Sequence, residues 1–144
     1  MDKRNEQLVV QQFAGLLEDW PKGKLRATES PDFILRVSPR KAIGIELTEL
    51  KGQDFINHTG RLINPADVME NLRKTVAAKD EKLVLYQRKR LFQIWLLIHV
   101  QELKSLVSFN LNNKLDLLEF HSGFDRIFLL ETTPGRLTEL ANNW

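Results

Sequence analysis

The hairpin formed by residues 30–35 (SPDFIL) and 44–50 (GIELTEL) decides the fold of this chain. Each arm carries one carboxylate, Asp32 or Glu46, inside a run that otherwise indicates a buried β-strand. A carboxylate among Phe, Ile and Leu side chains is strongly unfavourable unless it is paired, hydrogen-bonded or bound to a metal. Two such carboxylates side by side repel each other, and a divalent cation removes that cost. The hairpin therefore predicts a metal site.

The relative position of Asp32 and Glu46 depends on the turn between the two strands. Side chains alternate between the faces of a strand, so Glu46 shares its face with Gly44, which predicts open space beside the carboxylate. A three-residue turn at residues 38–40 places Asp32 directly opposite Glu46, with Cβ atoms about 5 Å apart. A two-residue turn places Asp32 opposite Leu47 instead, and the carboxylate pair is then lost.

The other elements follow from hydrophobic periodicity and from the positions of Pro and Gly. The pattern predicts helices over residues 5–20 and 65–87, and strands over residues 24–28, 33–37, 42–50, 91–100 and 125–131. It predicts a polar loop over residues 51–64, leaves residues 103–122 ambiguous, and is consistent with a terminal helix over residues 136–142. This order predicts an α/β (α+β) fold with a mixed sheet of about four to five strands and helices on both faces. The absence of a linker predicts a single domain over residues 1–144.

Composition restricts the classes of protein to which the chain can belong. It has no cysteine, which excludes a disulfide framework, a thiolate zinc site and a cysteine nucleophile. The first residues are charged and lack the apolar core of a signal peptide, and no apolar run is long enough to cross a bilayer. We therefore expect a cytoplasmic protein with no membrane partner.

Basic residues are concentrated in one segment, although the net charge is only +2. The segment contains Arg73, Lys74, Lys79, Lys82, Arg88, Lys89 and Arg90. Such a stripe is typical of a surface that follows a phosphate backbone. It is equally typical of a solvated helix face.

Two charged residues interrupt the apolar stripes of the predicted helices. Lys79 interrupts the stripe of the second helix, which consists of Met69, Leu72, Val76, Leu83 and Tyr86 and which we assign to the core. Glu6 stands in line with Val9 and Phe13 on the first helix. Each charged group either extends to the rim of the core or reaches a functional site. Glu6 has a further alternative, a favourable interaction with the helix N-terminus.

The three histidines show no spacing typical of a metal site. His99 lies inside the apolar run of residues 91–100, which predicts a hydrogen-bonded core residue rather than a ligand. His58 falls in the predicted loop.

The hairpin with its two carboxylates resembles the PD-(D/E)xK nuclease superfamily, and in particular its small, uncharacterised bacterial and phage members. The resemblance rests on Pro31-Asp32, on residues 45–48 (IELT) after a short interval, and on residues 95–98 (WLLI). The order of helix, three-stranded meander, helix and strand is also similar. The resemblance covers residues 4–100 and implies a restriction-endonuclease-like core.

The resemblance implies metal-dependent hydrolysis of phosphodiester bonds in DNA. Asp32, Glu46 and the carbonyl of Leu47 would hold Mg²⁺ or Mn²⁺. Such a metal lowers the pKa of a bound water and stabilises the charge that develops on the phosphate oxygens. Small nuclease cores of this kind often act as a pair of copies to cut two strands, so a homodimer is also implied.

The chain departs from the family pattern at one position. The pattern has lysine two residues after the glutamate, and this chain has Thr48, which can donate a hydrogen bond but carries no charge. The resemblance implies that Lys79 supplies the cation from the following helix, with Lys51 as second choice. The glutamate that some members carry on the first helix corresponds to Glu6.

Two alternatives remain open at this point. Without a lysine at the site, the chain is a catalytically inactive relative that binds nucleic acid or a protein partner. Without a site at all, Asp32 begins a strand or caps a turn, and Glu46 pairs with Arg26 or Arg36.

Overall fold

The computed structural model describes residues 3–50, 65–87, 89–101, 119–133 and 135–142, without the side chains of residues 65–68 and 87. The elements are α1 (Lys3–Leu16), β1 (Lys24–Ala27), β2 (Phe33–Ser38), β3 (Lys41–Glu49), α2 (Pro65–Asp80), α3 (Leu83–Gln87), β4 (Gln93–Val100), β5 (Glu119–Phe120), β6 (Arg126–Glu131) and β7 (Arg136–Asn142). The predicted loop at 51–64 and most of the ambiguous segment at 103–122 lie outside the described residues.

The strands form one seven-stranded sheet in the order β1-β2-β3-β4-β6-β7-β5. In the centre of the sheet, β4 runs parallel to both of its neighbours, β3 and β6. β1 and β2 add an antiparallel meander at one side, and β7 runs antiparallel to β6 at the other. The prediction of a mixed sheet with helices is confirmed, whereas the predicted number of strands is too low because β5 and β7 extend the sheet.

Helices cover both faces of the sheet. On one face, Val10 and Phe13 of α1 pack in a core cluster with Ile45, Trp95 and Phe128. On the other face, the apolar stripe of α2 and α3 packs against side chains of β4 and β6. Residues 94–100 of β4 are all buried, as expected of a central strand covered on both faces.

The first predicted helix ends earlier than the periodicity indicates, and the second is interrupted. α1 ends at Leu16 rather than at Trp20, whose ring instead packs edge-on against Phe13 with 5.6 Å between ring centroids. The second helix is divided into α2 and α3. At the end of α2, the Asp80 carboxylate accepts hydrogen bonds from Ser122 Oγ at 2.6 Å and Gly123 N at 3.2 Å, which ties this end to the turn before β6.

The predicted terminal helix at residues 136–142 is wrong, because these residues form strand β7. Gly135 has a φ of 101°, a conformation that glycine adopts without steric cost, and its N–H donates to the Glu131 carbonyl at 3.1 Å. This tight turn returns the chain alongside β6, where Ile127 pairs with Leu140. Pairing with a preformed sheet edge outweighs the helix propensity of a segment too short to form a stable helix alone.

Among the described residues, no helix combines the length and the apolar character that crossing a bilayer requires.

Candidate functional site

The hairpin of β2 and β3 brings Asp32 and Glu46 together. The turn holds two residues, 39–40, rather than the predicted three. A β-bulge at Val37 then shifts the register by one residue, so the two strands pair as a three-residue turn would pair them. Asp32, immediately before β2, is therefore in line with Glu46, although the predicted turn was wrong.

Each carboxylate accepts a backbone N–H from the opposite arm of the hairpin. The N–H of Asp32 donates to Glu46 Oε1 at 3.2 Å, and the N–H of Leu47 donates to Asp32 Oδ2 at 2.8 Å. Glu46 is only 6% exposed, whereas Asp32 is half-buried. These reciprocal bonds tie each side chain to the backbone of the opposite arm.

The helices on the second face supply two further groups to Glu46. Lys79 Nζ of α2 lies 3.2 Å from Glu46 Oε2, and the Tyr86 hydroxyl of α3 donates to the same oxygen. The structure thus brings together Asp32, Glu46 and Lys79, three of the residues selected from the sequence. Glu46 does not pair with an arginine of the neighbouring strands, since Arg36 donates to the Pro39 carbonyl instead.

The surroundings of Glu46 raise the pKa of its carboxyl group. Burial raises the pKa of Glu46, and the adjacent Asp32 carboxyl raises it further, while Tyr86 and Lys79 act in the opposite direction. Burial and the Glu46 carboxylate also raise the pKa of Tyr86, so its hydroxyl stays a neutral donor. Burial and the neighbouring carboxyl group therefore disfavour the ionised form of Glu46.

Sequence reasoning assigned Tyr86 to the core and missed its part in the cluster. The side chain is 1% exposed, so its ring is indeed a core residue. A buried tyrosine hydroxyl, however, usually finds a hydrogen-bond partner. Because Lys79 already interrupts this stripe with a polar group, the rule predicts that the Tyr86 hydroxyl donates to a polar partner nearby.

Glu6 approaches the cluster from α1 on the other face, and Lys3 links the two. Lys3 Nζ lies 3.6 Å from Glu6 Oε1 and 3.7 Å from Asp32 Oδ1, and it donates to the Thr28 carbonyl at 2.8 Å. Glu6 is 8% exposed. The sequence analysis did not select Lys3. Its position three residues before Glu6 places the two side chains next to each other on a helix, which was the local indication of this pair.

The remaining predicted site residues differ in their placement. Thr48 is half-buried on the same face of β3 as Glu46, and in the described part of the chain no hydrogen bond joins its hydroxyl to Asp32, Glu46 or Lys79. Leu47 contributes its N–H to Asp32. Lys51, the second choice for the lysine, lies outside the described residues.

The open space predicted beside Glu46 at Gly44 is already filled. A Cβ atom built on Gly44 would lie 2.6 Å from Leu91 Cδ1 and 2.8 Å from Pro31 Cγ. Glycine is needed here because two side chains pack directly on its backbone. Pro31 precedes Asp32, so this contact also seats the first carboxylate of the pair.

The donor set suits a hard cation with few protein ligands. Two adjacent carboxylates provide oxygen donors, and the raised pKa of Glu46 shows that like charge and burial both disfavour its ionised form. In the described ranges, no three His, Cys, Asp or Glu side chains are grouped as a cage for a metal ion. Mg²⁺ characteristically uses one or two carboxylates and keeps several waters, so this set is compatible with Mg²⁺ and not with a closed structural site.

Exposed basic residues lie on α2 and in the segments that follow α2 and α3, and we call them the basic surface. Its exposed members are Arg73, Lys74, Lys82, Lys89 and Arg90, while Arg88 lies outside the described residues. Among the described basic residues of this segment, Lys79 is the one that turns inward, with 20% of its side chain exposed.

Comparisons with known proteins provide no relative for this arrangement. No protein-family model matches the chain, and no curated protein or solved structure matches it significantly.

Proposed function

We propose that this chain is a metal-dependent nuclease of the PD-(D/E)xK type that hydrolyses phosphodiester bonds of DNA. The observation that carries the proposal is the convergence of Asp32, Glu46 and Lys79, from three separate elements, on one partly buried cluster. Burial and like charge make such a cluster costly for folding, which is typical of a site retained for chemistry.

The two carboxylates and the Leu47 carbonyl would hold Mg²⁺ or Mn²⁺, which supplies an activated water and positive charge at the phosphate. Lys79 stands beside Glu46 Oε2, where its ammonium group orients a water or stabilises phosphate charge. Tyr86 holds the same carboxylate oxygen in position. Glu6 acts through Lys3, which it holds beside Asp32.

The basic surface on α2 supports nucleic acid as the substrate. Exposed Arg73, Lys74 and Lys82 lie on or next to the helix that carries Lys79. Neutralising phosphates with such residues gives an affinity that falls steeply with salt. In this proposal the basic surface holds the DNA, and Lys79 of the same helix stands at the carboxylate pair.

Cleavage of DNA by near-isosteric variants tests the proposal. Asp32→Asn and Glu46→Gln remove the charge of each carboxylate and nearly keep its shape. We expect both variants to lose cleavage in Mg²⁺ and Mn²⁺ by orders of magnitude while their circular dichroism stays that of the parent. Glu18→Gln, at an exposed position, is the matched control and should cleave normally. Unchanged cleavage in both site variants contradicts the proposal.

A second candidate is a catalytically inactive relative that binds nucleic acid or a protein partner. It is favoured by Thr48 at the family's lysine position and by the two lysines, Lys3 and Lys79, that already pair with the carboxylates. This candidate predicts no cleavage with any divalent metal. It predicts DNA retention that weakens with salt if phosphates are bound.

A further inference from the structure

Three exposed basic side chains lie on the β1–β2 arm of the sheet, away from the basic surface of α2. They are Lys24 and Arg26 of β1 and Arg36 of β2, and we call them the β1–β2 basic face. Lys24 pairs directly with Arg36 in the antiparallel register. Directly paired residues point to the same face of a sheet, as do residues two apart on one strand, so the three cations share one face.

This face of the sheet also carries the carboxylate pair. Arg36 pairs with Ala42 of β3, and Ala42 points the same way as Glu46 because the two are four residues apart on one strand. The distance along β3 between these two residues is about 13 Å, since a strand rises about 3.3 Å per residue. One strand of B-DNA carries a phosphate about every 3.4 Å along the helix axis, so this distance corresponds to about four phosphates.

The carboxylate pair lies between the helices and the β1–β2 basic face. In the strand order, β3 stands between β2 on one side and β4 on the other. The apolar residues of α2 and α3 pack with side chains of β4 and β6, and Lys79 of α2 reaches Glu46 from that side. The β1–β2 arm extends the same face of the sheet in the opposite direction, where its basic side chains remain exposed.

The protein does not neutralise these three cations. In the described part of the chain, no acidic side chain forms an ion pair with any of them. Arg36 donates to the Pro39 carbonyl at 3.4 Å, which is an uncharged acceptor. Like charges directly opposite each other destabilise a sheet, so the pairing of Lys24 with Arg36 is unfavourable until an anion binds between them.

Protection of the sheet edge explains only part of this arrangement. β1 is the outermost strand, and charged side chains on such a strand prevent pairing with another chain. Arg36, however, is on β2, whose edge β1 already covers. A cation on this second strand, directly opposite Lys24, favours an anionic ligand instead.

We propose that Lys24, Arg26 and Arg36 bind successive phosphates of the DNA backbone beside the phosphate that is cleaved. Three cations spread over two strands fit a polyanion with regularly spaced charges better than one small anion. Contacts of this kind position the DNA and read no base sequence. The choice of DNA rests on the proposed function, whereas the need for an anion rests on the register and on the charges alone.

The salt dependence of DNA binding tests this inference without requiring cleavage. A labelled DNA duplex is titrated with the full chain in EDTA, and fluorescence anisotropy gives the binding constant at increasing KCl concentrations. Each phosphate contact contributes about 0.9 to the slope of the logarithm of the binding constant against the logarithm of the salt concentration. We expect Lys24→Gln, Arg26→Gln and Arg36→Gln each to reduce the slope by about 0.9, and the triple variant by about 2.7.

Two controls separate local contacts from net charge and from side-chain shape. Lys41 is exposed and adjoins Ala42 on β3, so alternation places it on the opposite face, and its Nζ lies 4.7 Å from the centre of the Phe92 ring. Lys41→Gln should therefore keep the slope of the parent. The triple variant Lys24→Arg, Arg26→Lys and Arg36→Lys retains every charge and should keep it as well.

The folding of the variants is checked by their melting temperatures. Lys24→Gln removes one of two opposed like charges, so its melting temperature should equal or exceed that of the parent. A lower melting temperature would show that the two cations do not repel each other, which contradicts the argument for an anion.

A triple Gln variant with the salt slope of the parent overturns the inference even if the protein cleaves DNA. An equal reduction by Lys41→Gln and Arg36→Gln also overturns it, because only net charge would then matter. Binding of the parent to phosphatidylserine vesicles and not to DNA would assign the face to a membrane surface instead. Conversely, DNA binding that depends on the three residues, in a protein that cleaves no DNA, leaves this assignment standing while the nuclease proposal fails.

Discussion

Lys79 Nζ lies 3.2 Å from Glu46 Oε2, although the two residues are 33 positions apart in the chain. The contact joins the end of α2 to the middle of β3. Lys79 is the charged residue in an otherwise apolar stripe of the helix. An ammonium group beside a buried carboxylate both lowers the cost of that carboxylate and brings positive charge to the site. Its removal should therefore affect function and electrostatics together.

Replacement of Lys79 by methionine should lower the rate of DNA cleavage by about a hundredfold or more, the usual effect of removing one transition-state donor. Lys79→Arg keeps the charge and should lose less. Lys22→Met, at an exposed position outside the basic surface, is the matched control. Single-turnover rates at saturating protein measure the chemical step. Equal rates for Lys79→Met and Lys22→Met would show that Lys79 only fills the rim of the core.

Tyr86→Phe removes the hydroxyl that donates to Glu46 and keeps the buried ring. We expect the free energy of unfolding to fall by about 1.5–3 kcal/mol, as for hydrogen bonds to charged groups. The pKa of Glu46 should rise further, because the lost bond favours the ionised form. Urea denaturation of both single variants and of the double variant with Glu46→Gln gives the coupling energy. An equal cost of Tyr86→Phe in both backgrounds would mean that the hydroxyl does not stabilise Glu46.

Gly44→Ala should destabilise the protein by about 1–3 kcal/mol, the usual cost of extra volume in a packed core. The added Cβ meets Pro31 and Leu91 at less than ordinary contact distance, and movement of Pro31 displaces Asp32. Cleavage should therefore fall along with stability. Gly15→Ala is the opposite control, because nothing lies within 4 Å of its Cβ and alanine favours the helix by up to about 1 kcal/mol. Thermal melts of both variants should shift in opposite directions.

The sequence predicted the parts of the cluster that depend on local periodicity. Alternation along β3 places Glu46 among apolar residues, and the helical stripe of α2 isolates Lys79 as its single charge. Both patterns require only the nearest neighbours in the chain. They single out Glu46 and Lys79, and it was the resemblance that joined these two residues to Asp32 as one group.

The parts that failed depend on contacts between distant segments. The bulge at Val37 compensates for a two-residue turn, and no local pattern encodes that compensation. Lys3 reaches Asp32 only because α1 packs across the sheet, 29 residues away in sequence. Strand β7 exists because β6 offers it an edge, which overrides a helical composition.

Acidification should reveal His99 through its effect on stability. Burial holds the pKa of His99 below the ordinary value of 6.5, and the charge of Glu49 opposes this shift. Above that value both folded and unfolded states keep the imidazole neutral, so no stability is lost. As the pH falls below it, the unfolded state binds a proton that the folded state refuses, and the free energy of unfolding decreases by up to about 1.4 kcal/mol per pH unit.

His99→Phe removes this contribution, so the free energy of unfolding of the variant should decrease less than that of the parent as the pH falls below 6.5. Glu49→Gln removes the charge that favours the imidazolium form, and that variant should lose more. Urea denaturation at half-unit pH intervals measures both differences. Parallel pH profiles for the parent and His99→Phe would show that His99 takes up its proton equally in the folded and unfolded states, which would contradict the lowered pKa.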